Sequence, residues 1–393
     1  VRLLCASLLC LSLSLAGPSD AEDPAPPVAP PTAAEVEKAI ESGKAWLAEQ
    51  HAAGFHDAKP HDVGELVMLT LAHTGGNLSD KLFALGVEFL ATTEPRFTYR
   101  TALQAMALSE INPRLYQQQL AHCAQWLVDT QLAGGEWGYP GTVGREGYMP
   151  EGLKVAPPPP PEASAGAKPA KPVKPGMPST KIVIQRRSSR TSDTIMKGDF
   201  SNTQVAILGL RACREAGLEL PKETWKGALE YLRAFQRPDG GWGYVVQGLQ
   251  DGASYASLTC AGICSLAICL NALGTSDVRS DPGMKKALAW LDKHLDLTRN
   301  AGIEQSEVLG PSLWQYYHLY SLERVGRVLN QETLGKRPWY AEGARWLLGA
   351  QASDGSWADG PGPMSPRPSY LTPADTCFAL LFLARATRPI TRR

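Results

Sequence analysis

Lys226-Gly227-Ala228-Leu229-Glu230-Tyr231-Leu232-Arg233-Ala234-Phe235-Gln236-Arg237-Pro238-Asp239-Gly240-Gly241-Trp242 is the stretch whose reading decides the fold. Its apolar residues fall at the three- and four-residue spacing of an amphipathic helix. Pro238-Asp239-Gly240-Gly241 then stops the helix, as turn residues that cannot continue it do. Gln236 stands at the helix end, where its amide can satisfy free backbone groups of the turn or of the next repeat. Trp242 follows the turn and can cover that junction with a large apolar face.

The same pattern returns twice without gaps. Trp126-Leu127 leads to Gln131, Gly135 and Trp137, and Trp346-Leu347 leads to Gln351, Gly355 and Trp357. Weaker copies are Trp46-Leu47 with Gln50, Phe89-Leu90 and Trp290-Leu291. Each copy is followed by a more apolar segment, at 63–73, 101–111, 202–216, 257–273, 312–328 and 376–386. A helix that is apolar nearly all round is a buried one. The alternation therefore predicts an all-α chain: an (α/α)6 toroid of about twelve helices in two concentric layers, over residues 35–390.

The flanks carry their own expectations. Arg2 precedes an apolar run at 3–16, and Ser19 and Ala21 fit the small residues of a cleavage site. Residues 1–21 are read as a signal peptide, 22–34 as a flexible Pro-rich N-terminus, and the protein as secreted or periplasmic. The run is too short to span a bilayer, so no transmembrane span is expected after cleavage. Residues 141–198 hold the proline run 157–161 and the basic Gln185-Arg186-Arg187-Ser188-Ser189-Arg190, and read as a disordered, solvated Pro/Lys-rich insert. Lys+Arg and Asp+Glu both total 39, so nothing draws the chain to nucleic acid. Cys123, Cys213, Cys260, Cys264, Cys269 and Cys377 sit in apolar helical stretches and read as small buried side chains, although export would permit a bridge or two.

The three strong segments resemble the QW repeat of squalene and oxidosqualene cyclases, and residues 226–242 satisfy that pattern throughout, including the leading Lys226-Gly227. His122-Cys123 and Glu342-Gly343 depart from it at the basic position. The resemblance covers about residues 35–388 and implies the toroid shared with protein prenyltransferase β subunits. It does not carry an activity with it. Class II cyclases protonate an alkene with an Asp kept acidic among other carboxyls, yet this chain has no Asp-Asp pair. Asp375 is the nearest local match, and its position before an apolar helix also reads as an N-cap, as does Asn202 in another repeat. The prenyltransferase likeness offers a second chemistry: Asp375-Thr376-Cys377 with His318 would supply three ligands for a zinc ion, leaving one position open. Against it, the family's His follows its Asp-x-Cys. When the inner helices are aligned, Trp314 rather than His318 matches Asp375, which puts His318 about 5 Å deeper. A thioester toroid would need Cys-Gly-Glu-Gln, which is absent. A carbohydrate-active (α/α)6 enzyme would need paired carboxylates, for which Asp251, Glu304 and Glu307 are in the links.

The leading expectation is a toroid without cyclase chemistry and without a needed cofactor. It would bind a hydrophobic small molecule, lipid or isoprenoid, or a protein or polymer partner, in its cavity or on its looped face. The residues placed at the cavity mouth are Asn202, Tyr255, Ser257, Trp314, Tyr317 and Asp375. Gln131, Trp137, Gln236, Trp242, Gln351 and Trp357 are assigned to repeat junctions.

Overall fold

The computed structural model describes residues 29–52, 63–77, 80–138, 181–187, 198–246, 249–250, 252–305, 314–359 and 371–390. The signal-peptide reading, most of 22–34 and, within the insert, 141–180 and 188–197 lie outside them. Twelve α-helices stand among the described residues: α1 Ala33–Gln50, α2 Gly64–His73, α3 Lys81–Thr92, α4 Thr98–Ile111, α5 Gln117–Thr130, α6 Phe200–Glu215, α7 Lys222–Ala234, α8 Ala256–Ala272, α9 Pro282–His294, α10 Gln315–Val328, α11 Trp339–Ala350 and α12 Leu371–Leu383.

Local chemistry starts several of them. Thr32 and Glu35 form a capping box at α1, Asp80 caps α3, and Asp281 caps α9 beside Pro282 at its first turn. The apolar pattern then sorts the helices into layers. In α8 every residue from Ala256 to Leu270 is buried, whereas α9 buries Met284, Ala287, Trp290 and Leu291. The even-numbered helices pack side by side in a closed inner ring, with α12 returning to α2, and the odd-numbered helices pack around it. The fold is an all-α (α/α)6 toroid, and α1 completes it by packing on α11 and α12.

The three strong junctions are superimposable in their bonding. The indole N–H of Trp137, Trp242 and Trp357 donates to the carbonyl of Leu127, Leu232 and Leu347 at 2.7, 2.9 and 2.9 Å. Their backbone N–H groups donate to the hydroxyls of Thr203, Thr259 and Thr376 on the following inner helix at 3.0, 3.2 and 3.0 Å. Gln131, Gln236 and Gln351 donate twice, to the turn carbonyl of Gly135, Gly240 or Gly355 and to a carbonyl of the next outer helix, at Thr224, Gly283 or Ala39. Each turn glycine has φ near +95°, and a Cβ on Gly240 would come 2.5 Å from the Lys286 carbonyl oxygen. Only glycine fits there. The third stitch, Gln351 to Ala39, joins the last repeat to the first.

Part of the insert departs from its reading as solvated chain. Its residues 181–187 form a strap on the outer layer. Strand β1 (Ile182–Val183) pairs in parallel with β2 (Leu218–Glu219), and Ile184 is buried. Gln125 donates to the Gln185 carbonyl at 2.7 Å, and the Arg187 N–H donates to Asp129 at 2.8 Å. Arg186 donates to the oxygen of the Gln131 amide at 2.7 Å, so part of the basic run completes a junction rather than facing water. A second short pair, β3 (Val245–Val246) and β4 (Leu249–Gln250), is antiparallel. All six described cysteines are buried free thiols.

Candidate functional site

The inner helices all begin at one end of the ring, and the links after Gly138, Gln305 and Asp359 leave and return there. Acidic and amide side chains gather at this end. Glu65 of α2 and Arg100 of α4 form a buried, two-pronged ion pair, with Arg100 Nε at 2.9 and 3.0 Å from the two carboxylate oxygens and Nη2 at 2.7 Å from one. On α6 the cap is Asp199, not Asn202. Its Oδ1 accepts the Asn202 N–H at 2.9 Å and the Ser201 hydroxyl at 2.6 Å, while the Asn202 side chain donates to Oδ2 at 2.5 Å. Asn202 is therefore the capped residue, three positions into the turn. Asp199 is 1% exposed, and burial raises its carboxyl above the usual range against three donors that favour the charged form.

Ser257 at the start of α8 is locked to Asn300: its N–H donates to the amide oxygen at 2.8 Å and its hydroxyl accepts from the amide nitrogen at 3.0 Å. Tyr255, one residue before that helix, is buried at 1% exposure. Trp314 is the left-handed cap residue of α10, with φ 76°. Asp375 is not an N-cap either. α12 starts at Leu371, which places Asp375 in its second turn, where its Oδ2 accepts the Asp359 N–H at 3.0 Å. Asp359 supplies the cap instead, accepting the N–H groups of Trp314 and Gln315 at 2.8 and 3.1 Å. Asp375 thus fixes the residue that caps the preceding inner helix. The signal for Asp199 was present in the sequence as Asp-x-x-Asn before an apolar run. Asp359 has no such signal, because it caps a helix 44 residues earlier.

The zinc set does not assemble. Among the described residues, no three His, Cys, Asp or Glu side chains come together as a metal site. His318 turns the other way: its Nε2 bonds the Asp296 carbonyl at 2.8 Å, Nδ1 is buried without a partner, and burial pushes the imidazole down to about 4. Burial likewise pushes the Cys377 thiol up to about 12, the reverse of what a metal-binding thiolate needs.

Tyr317 leads from the mouth toward the middle of the ring. Its hydroxyl bonds the Gln204 amide of α6, and its ring meets Phe378 of α12 edge-on at 5.5 Å. Tyr320 stacks on the same Phe378 at 5.7 Å. Over both tyrosines lies Arg324, its guanidinium carbon 4.3 Å from the Tyr320 ring and 5.7 Å from the Tyr317 ring. Arg324 is 3% exposed, its Nη2 bonds Ser321 at 2.8 Å, and its Nε has no partner. A desolvated cation–π contact is worth about 2 kcal/mol, whereas burying an ion costs several. Arg324 also shares hydrogen bonds with the Tyr317 and Tyr320 side chains, and the two phenols favour its charged form against the cost of burial.

With that geometry in view, solved structures supply the comparison. No protein-family model and no curated protein matches this sequence. The apo type II terpene cyclase MstE from Scytonema aligns with a TM-score of 0.50 at 13% identity, covering 90% of this chain and 98% of that one. A variant of that cyclase holding its product, merosterolic acid A, gives 0.52 at 14% identity, with 90% and 98% covered. An unsaturated glucuronyl hydrolase specific for heparin gives 0.53 at 9% identity, with 90% and 97% covered. What the chain shares with them is the α/α toroid fold. At such identities the likeness is one of fold, and the fold serves both a cyclase and a sugar hydrolase.

Proposed function

We propose that this chain is an exported toroid that acts by binding at its looped end and performs no cyclisation. The supporting observation is the employment of its inner-ring carboxyls. Asp375 holds the Asp359 backbone, Glu65 is spent on Arg100, and Asp199 caps α6. A cyclase acid must instead present a free O–H to an alkene. Tyr317 and Gln204 also join across the ring where a long polyene would lie. The occupant that fits is a protein or polymer segment seated on the looped face, not a lipid threaded through the middle. Export rests on the run at 3–16 with Ser19 and Ala21, and predicts a mature N-terminus at Glu22 by N-terminal sequencing. The test of the main reading is incubation of the mature protein with geranylgeranyl- and squalene-type polyenes, followed by mass analysis. Unchanged polyene is expected.

One observation favours a second reading: Asp199 is a buried carboxyl at the mouth whose pKa is raised. A cyclic product that forms with the native protein and disappears with Asp199→Asn would replace the binding reading with an acid-catalysed one.

A further inference from the structure

At the end of the ring opposite the loops, each earlier inner helix is followed by an outer one. α12 stops at Leu383 instead, Arg385 takes a left-handed turn at φ 51°, and residues 386–390 run back across the ends of α4, α6 and α10. Side chains of the ring hold this segment largely by its main chain. Glu323 of α10 accepts the Thr387 N–H at 3.0 Å and its hydroxyl at 2.7 Å. Arg327, one turn on, donates to the Thr387 carbonyl at 3.0 Å. Arg211 of α6, steadied by Glu215, donates to the carbonyls of Arg388 and Pro389 at 2.6 and 3.2 Å. The carbonyl of Val328, the last residue of α10, accepts the Ile390 N–H at 3.3 Å. Arg388 adds a charged contact, to Glu110 of α4 at 2.5 Å.

The fit beneath the segment is incomplete. A cavity of about 70 Å3 lies there, and Leu69, Met106, Leu208 and Ala386 form its apolar lining. The Arg388 side chain is 58% exposed, and Thr387, Pro389 and Ile390 are half-buried. A stretch held by polar bonds over little buried apolar area opens at lower free energy than the ring under it. Opening uncovers donors and acceptors set for an extended backbone, beside an unfilled hollow.

We propose that this end of the ring docks an extended segment of a second protein, carrying a bulky aliphatic residue followed by a hydroxyl residue, a base and a proline, and that residues 386–390 are the occupant it displaces. The main-chain clamp accepts either segment. Residues 386–390 have the advantage of attachment, an effective concentration on the order of millimolar. A competitor overcomes it by filling the hollow that the Ala386 methyl leaves empty, since unfilled volume costs stability. The clamp lies across the ring from the looped end and does not depend on the reading given above.

Fluorescence anisotropy with the labelled peptide Leu-Thr-Arg-Pro-Ile, added to the full chain, tests it. Expected is saturable binding, at least tenfold tighter than that of Ala-Thr-Arg-Pro-Ile. Binding should tighten at least tenfold in the full chain carrying Thr387→Ala and Arg388→Ala, whose own segment is weakened, and should weaken at least tenfold in Arg211→Met. No saturable binding, or equal affinity for the peptide N-methylated at its threonine, which has lost the N–H that Glu323 accepts, would overturn the proposal. Should the variants not fold, amide exchange on the native protein decides alone. The Thr387 and Ile390 amides should exchange at least tenfold faster than those of Phe378 to Leu381, and faster still with peptide bound. Exchange in step with α12, or unmoved by the peptide, excludes displacement.

Discussion

Glu323 and His318 lie on the same helix, both wholly buried, and their titrations pull stability in opposite directions. Burial pushes the Glu323 carboxyl from 4.5 up to about 7, despite the bonds from Thr387. Its contribution is full below pH 4.5 and is lost as the pH rises through 7, about 3 kcal/mol at roughly 1.4 per unit. Glu323→Gln keeps an acceptor for Thr387 and should remove that loss; urea unfolding at pH 4.5 and 8 measures it. His318 runs the other way. Its imidazole is held down at about 4 against an ordinary 6.5, so its contribution is present above 6.5 and lost as the pH falls through 4. His318→Gln should flatten the acid limb of the same curve. A variant whose pH profile parallels the native one would exclude that residue as the source. The indole of Trp242 permits a simpler test. Trp242→Phe keeps most of the buried area and deletes the bond to Leu232, for an expected loss of about 1–3 kcal/mol.

Among the elements, legibility followed locality. The outer helices, their turns and the Gln and Trp junctions were readable because each contact is set by a fixed offset along the chain. Leu232 is ten residues from Trp242, and Gly240 is four from Gln236. The inner helices were readable from uniform apolarity. What escaped were other partnerships between distant segments: Asp359 with α10, Glu65 with Arg100, Tyr317 with Gln204. Asp375 looked like a cap because a lone Asp before an apolar run usually is one, but here the helix starts four residues earlier. His318 looked like a ligand because spacing cannot show which way a side chain turns. The strap at 181–187 was hidden by its low-complexity surroundings. Ile184→Ala should cost about 2–4 kcal/mol and speed amide exchange in α5 and β2, whereas a surface-lying tail would register neither.

Across the whole molecule, the ring is closed by the same bonds that join its neighbours. Gln236 bridges α7 to α9 over 47 residues, and Gln351 bridges α11 to α1 over 312. Each variant to Ala leaves two carbonyls short of a donor, so each should cost about 1–3 kcal/mol. Equal losses, each in a single unfolding transition, are expected of a closed toroid. Early exchange confined to α1 in Gln351→Ala would instead show that the first repeat is only an appendage.

That seam also bears on the order in which the chain is made. α1 and α2 leave the ribosome first, yet the faces they cover belong to α11 and α12, which leave last. Until then Leu47, Leu66 and Met68 have no complete site to fill, and nearly the full length of the polypeptide must wait with apolar surface uncovered. Until its last repeat is in place, a ring of this kind carries the aggregation hazard of that uncovered surface.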